Sequence, residues 1–123
     1  SLQQAQEQLA HVDGVMMGRA AYQEPWRLLG VDPLLFGEPA PFDTPKAAAL
    51  ALMPYIEREI SKGTRLHSIT RHVLGLFHAV PGARAFRRHL ATEAVKPGAG
   101  ASVMADALAL VLDSGKDFAN IAA

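Results

Sequence analysis

Between Val12 and Met17, inside VDGVMMGRAAYQEPW, the chain carries the one convincing strand signal in its 123 residues. The stretch from residue 14 to 26 reads as a short buried strand, a Gly-Arg turn and the start of a helix. One strand alone leaves its backbone donors and acceptors unpaired. It cannot make a sheet, so a β-rich fold is excluded. The expected fold is mainly α, with this strand as the edge of something larger.

The rest of the chain supports that expectation. Residues 2 to 10 are good helix formers with a Gln/Glu-rich exposed face. Ala20 to Leu29 is interrupted by Pro25, which suits the first turn of a second short helix. Residues 30 to 45, GVDPLLFGEPAPFDTP, hold four prolines and two glycines, the composition of a linker. Beyond it the pattern is helical. Thr44-Pro45 is a helix start, with Thr as N-cap and Pro at the first helical position. This helix is expected to reach Lys62, with Ala48, Leu52, Ile56 and Ile60 as its apolar stripe and a kink at Pro54. A second helix is predicted over Leu66–Ala79 and a third over Ala83–Val95. The last is predicted over Val103–Asp113, capped by Ser102 and apolar nearly all round. Short joints between four helices predict an antiparallel four-helix bundle. The expected division is residues 1–30, a linker at 31–45, and a helical domain at 46–123.

Composition narrows the function. Half the residues are apolar and a fifth are charged, which suits a globular domain. With no cysteine there is no disulfide framework, thiolate metal site or cysteine nucleophile. The first ten residues lack the features of a signal peptide, and no apolar run approaches membrane-spanning length. A cytoplasmic location and no membrane partner are therefore expected. The first residue is Ser, not Met, which points to a piece of a longer chain.

The formal net charge of zero conceals a basic block. From Lys62 to His89 there are six basic residues, namely Lys62, Arg65, Arg71, Arg84, Arg87 and Arg88, with no Asp or Glu. Four of the five histidines, His67, His72, His78 and His89, lie there too. His67 and His72 are five apart with no nearby carboxylate, a poor arrangement for zinc. Arg84, Arg87 and Arg88 fall at i, i+3 and i+4, so they share a helix face. Arg71 and His78, seven apart, would share a stripe on the preceding helix. Such a block is either a solvated face or a footprint for phosphate backbones, and its arginines suit bidentate phosphate contact.

Two motifs carry a resemblance. VDGVMMGRAAYQEPW with its Pro-broken linker, followed by TRLHSITRHVLGLFHAVPGARAFRRHL, resembles the C-terminal part of bacterial tRNA-dihydrouridine synthases of the A type. The second motif is the more specific; the first fits several flavin-binding (β/α)8 barrels. The resemblance covers residues 2 to 113. It implies that residues 1–30 are a helix, one strand and a short helix from the end of an FMN-binding barrel. It implies that Gly18 and Arg19 hold the FMN phosphate, where Gly lets the backbone approach and Arg supplies a charged fork. The implied reaction reduces the C5–C6 double bond of D-loop uridine near position 20, with hydride from NADPH through FMN. It further implies that the helical domain binds tRNA, with Arg84 and Arg87 nearest the RNA and Arg88, Arg71, Arg65 and Lys62 on its backbone. Thr70 and His72 read as structural. The family's catalytic cysteine and the Gly-rich loop of the other half of the phosphate site have no counterpart here. The chain alone is therefore expected to be inactive and to hold FMN poorly.

The competing class is a helical protein-interaction module without a nucleic-acid role, docking through SVMADALALVL. Unpaired strand edges over residues 12 to 18 would also allow a homodimer.

Overall fold

A computed structural model describes residues 1–112. Among these residues the secondary structure is helical and no strand is present. Helix α1 is Leu2–Leu9 and opens on a capping box, in which the Ser1 hydroxyl accepts from the Gln4 amide. Helix α2 is Arg19–Gln23. A 3₁₀ helix over Pro25–Gly30 then places Pro25 in its first turn, and a π-type turn follows at Asp32–Phe36. The N-terminal piece has its own small apolar centre of Leu2, Trp26 and Leu29.

The expected strand is the first correction. Val12–Met17 has no ladder partner, and no backbone amide in that stretch donates to a described residue. Val12, Val15 and Met16 are exposed, Met16 at 86%. An apolar extended segment without a neighbouring strand has nothing to pair with.

Helices α3, Pro45–Ala51, and α4, Met53–Ser61, occupy the predicted first helix of the C-terminal part. Thr44 caps α3, its hydroxyl accepting from the Ala47 amide at 3.1 Å. The chain turns at Leu52, because Pro54 has no amide to donate and must sit in the first turn of a new helix. The break moves the inward face of α3 from Ala48 to Ala49, while Ile56 remains fully buried.

The second predicted helix is the larger correction. Helix α5 ends after Leu66–Thr70. From there to Ala83 the chain advances by i→i+3 bonds, among them Val73 to Thr70, Leu76 to Val73, His78 to Gly75 and Val80 to Phe77. Arg71 and His78 therefore share no helical stripe, and the bundle expectation loses one of its four rods.

Helices α6, Ala83–Glu93, and α7, Ala101–Ala109, match the remaining predictions, although α7 starts from Gly100 and Ser102 lies inside its first turn. The expected end of the last helix at Asp113 lies outside the described residues. Met104, Ala107, Leu108 and Val111 repeat at i, i+3, i+4 and i+7 and are all buried. Through this face α7 packs against α3, α4 and α6. The core joins them to Ala83, Phe86, Leu90 and Ala94 of the α6 face, and to Leu66, Leu76, Phe77 and Val80. The Phe77 and Phe86 rings meet edge to face at 4.8 Å. The end of α7 is fixed by two bonds. The Lys46 ammonium donates to the Val111 carbonyl at 3.1 Å, and the Leu112 amide donates to the Pro81 carbonyl. Gly82 starts α6 at φ 93°, and a Cβ there would lie 2.1 Å from the Leu110 carbonyl oxygen. Both constraints select glycine. No helix among the described residues is long and apolar enough to cross a membrane.

Candidate nucleic-acid interface

The basic residues fall into three places. On α6, Arg84, Arg87 and Arg88 are exposed, while Ala83, Phe86 and Leu90 of the same helix face the core. None of the three arginines has an ion pair or hydrogen bond among the described residues. Their neighbours raise no competing carboxylate, so the three guanidinium groups remain available to an external anion. Lys62 and Arg65 flank the α4–α5 joint. Lys62 lies 3.5 Å from Glu59, whereas Arg65 has no acidic partner among the described residues. Arg71 ends α5.

Arg71 belongs to a network that sequence reasoning missed. Its Nε donates to His72 Nε2 at 3.1 Å, and His72 Nδ1 lies 2.9 Å from the Tyr22 hydroxyl. An arginine nitrogen only donates. His72 Nε2 is therefore the acceptor of that bond. The two rings meet edge to face at 5.9 Å. Beside them Glu24 pairs with Arg27, and His78 Nε2 lies 3.5 Å from the other Glu24 oxygen. Arg27 in turn sits over the Trp26 ring at 4.9 Å. These contacts dock the N-terminal piece onto the 71–80 segment. The sequence signal was Gly75, an isolated glycine that weakens a helical pattern; in the structure the Gln23 carbonyl occupies the space a Cβ would need.

Gly18 and Arg19 start α2. A Cβ on Gly18 would meet only the Met16 side chain, at ordinary contact distance. Arg19 is exposed and has no partner among the described residues. An open backbone beside a free guanidinium fits one side of a phosphate group. Nothing among the described residues supplies the other side.

The Glu93 carboxyl is shifted. The Lys96 ammonium lies 3.0 and 2.8 Å from the two Glu93 carboxylate oxygens. That hydrogen bond, with the charges of Lys96 and His89, holds Glu93 below the usual glutamate range against a smaller opposing effect of burial.

Comparison with known proteins settles the family. The family model for dihydrouridine synthase matches residues 1–111. The chain belongs to the dihydrouridine synthase family. It is 55% identical over 114 residues to a tRNA-dihydrouridine(20/20a) synthase of Yersinia pestis, covering 93% of this chain and 33% of the relative. A protein of the same name from Salmonella typhi is 51% identical, over 92% of this chain and 34% of the relative. One from Vibrio cholerae is 50% identical, over 90% and 34%. The chain thus spans about a third of the length of the curated relatives it matches.

Proposed function

We propose that this chain is the C-terminal part of a flavin-dependent tRNA-dihydrouridine synthase, and that its own task is to bind tRNA. The observation that carries the reading is the acid-free face of α6, where Arg84, Arg87 and Arg88 stand exposed on a helix whose other side is locked into the core. The names of the relatives supply the substrate class. Arg84 and Arg87 make the nearest RNA contacts, with Arg88, Arg71, Arg65 and Lys62 on the phosphate backbone. The exposed guanidinium groups of Arg84, Arg87 and Arg88, which have no fixed acceptors, suit phosphate and shape contacts better than base readout.

In this reading residues 1–30 are the end of a (β/α)8 barrel, and Val12–Met17 is its last strand, lacking the neighbour that would pair it. Support comes from the apolar exposure of that segment. Val12, Val15 and Met16 line an open cleft of about 360 Å³ against α1. Gly18 and Arg19 would hold one side of the FMN phosphate. Bound FMN supplies the hydride chemistry, drawing on NADPH, and the chain's own residues position and retain it. The catalytic proton donor and the second half of the phosphate site belong to the remainder of the relatives' length, so this chain alone is inactive. In isolation its unpaired segment can pair with a second copy, giving a homodimer. A cytoplasmic site of action accords with a tRNA substrate.

Filter binding with bulk tRNA at moderate salt tests the reading. Retention that falls steeply as salt rises is expected. No retention at low salt favours the alternative, a helical protein-interaction module.

A further inference from the structure

Away from the α6 arginines, the chain folds around a second concave site. The α4–α5 joint and the loop from α6 to α7 enclose a cleft of about 640 Å³. That is inside the range of roughly 300–1,000 Å³ typical of small-ligand sites. Its lining joins two chemistries. Ile60, Val95 and Pro97 are apolar, and Arg65 and Lys96 are cationic. No Asp or Glu lines it. Arg65 has no acidic partner among the described residues, and Lys96 is held at the rim by Glu93. Val95 is 54% exposed, an apolar surface left open beside the cations. The walls meet where α6 ends. Arg87 lies seven residues before Ala94, about 10 Å along the helix axis at 1.5 Å per residue.

We infer that this cleft takes one unstacked nucleotide of RNA, with its base against the apolar lining and its phosphate at Arg65 and Lys96. The inference rests on the proposed tRNA binding and adds a specific seat to it. A duplex offers its phosphates on a convex surface, and its stacked bases cannot enter a cleft of this size. A nucleotide splayed from a loop offers an apolar base face and an anion within one residue, which is the pairing the lining presents. An acidic peptide would satisfy the cations but leave the apolar lining unused.

The test is an amide-resolved NMR titration of the full chain with a single-stranded hexauridylate, a duplex RNA of similar length, polyglutamate and whole tRNA. Hexauridylate is expected to shift the amides of Gly63, His67 and Gly98, which lie in or beside the cleft walls. The R65A/K96A double variant is expected to weaken that binding about tenfold or more, since hydrogen bonds to charged groups are each worth at least that much. The inference is overturned if whole tRNA shifts only α6 amides, an outcome in which tRNA binding itself survives. It is equally overturned if the duplex or polyglutamate shifts the cleft as strongly as hexauridylate does. Absence of any shift with any RNA overturns both the cleft assignment and the tRNA reading.

Discussion

Gln23 and Gly75 meet backbone to backbone: a Cβ on Gly75 would lie 1.9 Å from the Gln23 carbonyl oxygen. No side-chain rotation relieves such a clash, because the opposing atom is main chain. Gly75→Ala is expected to push α2 off the 71–80 segment and break the Tyr22–His72 and Glu24–His78 contacts. The cost expected for forced overpacking is about 1–3 kcal/mol. Urea unfolding should report a lower midpoint. A midpoint equal to that of the parent chain would refute the docking of the two parts.

The core makes a separate claim. Phe86 is fully buried, and its ring meets Phe77 between α6 and the turn-rich segment. Phe86→Ala is expected to cost about 3–5 kcal/mol, from lost burial and the cavity left behind. A loss below about 1 kcal/mol by denaturant titration would mean that the packing around α6 is wrong.

What the sequence disclosed follows from where each element draws its stability. Thr44, Pro45 and Pro54 act through local backbone chemistry, so the helix start and a disturbance at Pro54 were legible, although the expected kink is a break between two helices. The α6 face repeats at helical spacing and was legible too, whereas the last helix reads as apolar nearly all round and only packing selects its buried face of Met104, Ala107, Leu108 and Val111. Leu66–Ala79 has the same apolar periodicity, yet only its first turn is α-helical. The cause is remote, since Gly75 must admit the Gln23 carbonyl and the segment must present His72 and His78 to α2. Periodicity cannot register a partner 50 residues away. The strand failed for the opposite reason: its local signal is sound, but no described residue pairs with it. The arginines of the basic block were evident in the sequence, whereas the cleft that joins Arg65 to Lys96 depends on two loops meeting.

The Glu93–Lys96 pair gives a pH prediction. Glu93 is held below the usual glutamate range, first by the Lys96 hydrogen bond. A carboxylate depressed by folding contributes stability above its unfolded pKa and loses it as pH falls through the folded value. The contribution therefore disappears on the acid side of the ordinary glutamate range. Carbon-detected NMR should place the Glu93 midpoint below that of an unpaired glutamate. Lys96→Ala should move it upward, with little effect on overall stability at neutral pH because the pair is at the surface. A midpoint unmoved by the substitution would show that Lys96 is not the cause.

The salt dependence of the proposed tRNA binding tests the role of α6. Each phosphate neutralised contributes about 0.7 to 0.9 to the slope of log affinity against log salt. Arg84→Ala with Arg87→Ala removes two exposed cations that have no internal partner, so the fold should be untouched and the unfolding midpoint unchanged. The slope is expected to flatten by about 1 to 2, with affinity falling most at low salt. Arg27→Ala offers the contrast, because Arg27 is engaged with Glu24 and Trp26. It should lower stability and leave the slope alone. A double variant that keeps the parent slope would remove α6 from the interface, and the remaining cations at Arg65 and Arg71 would then have to carry the contact.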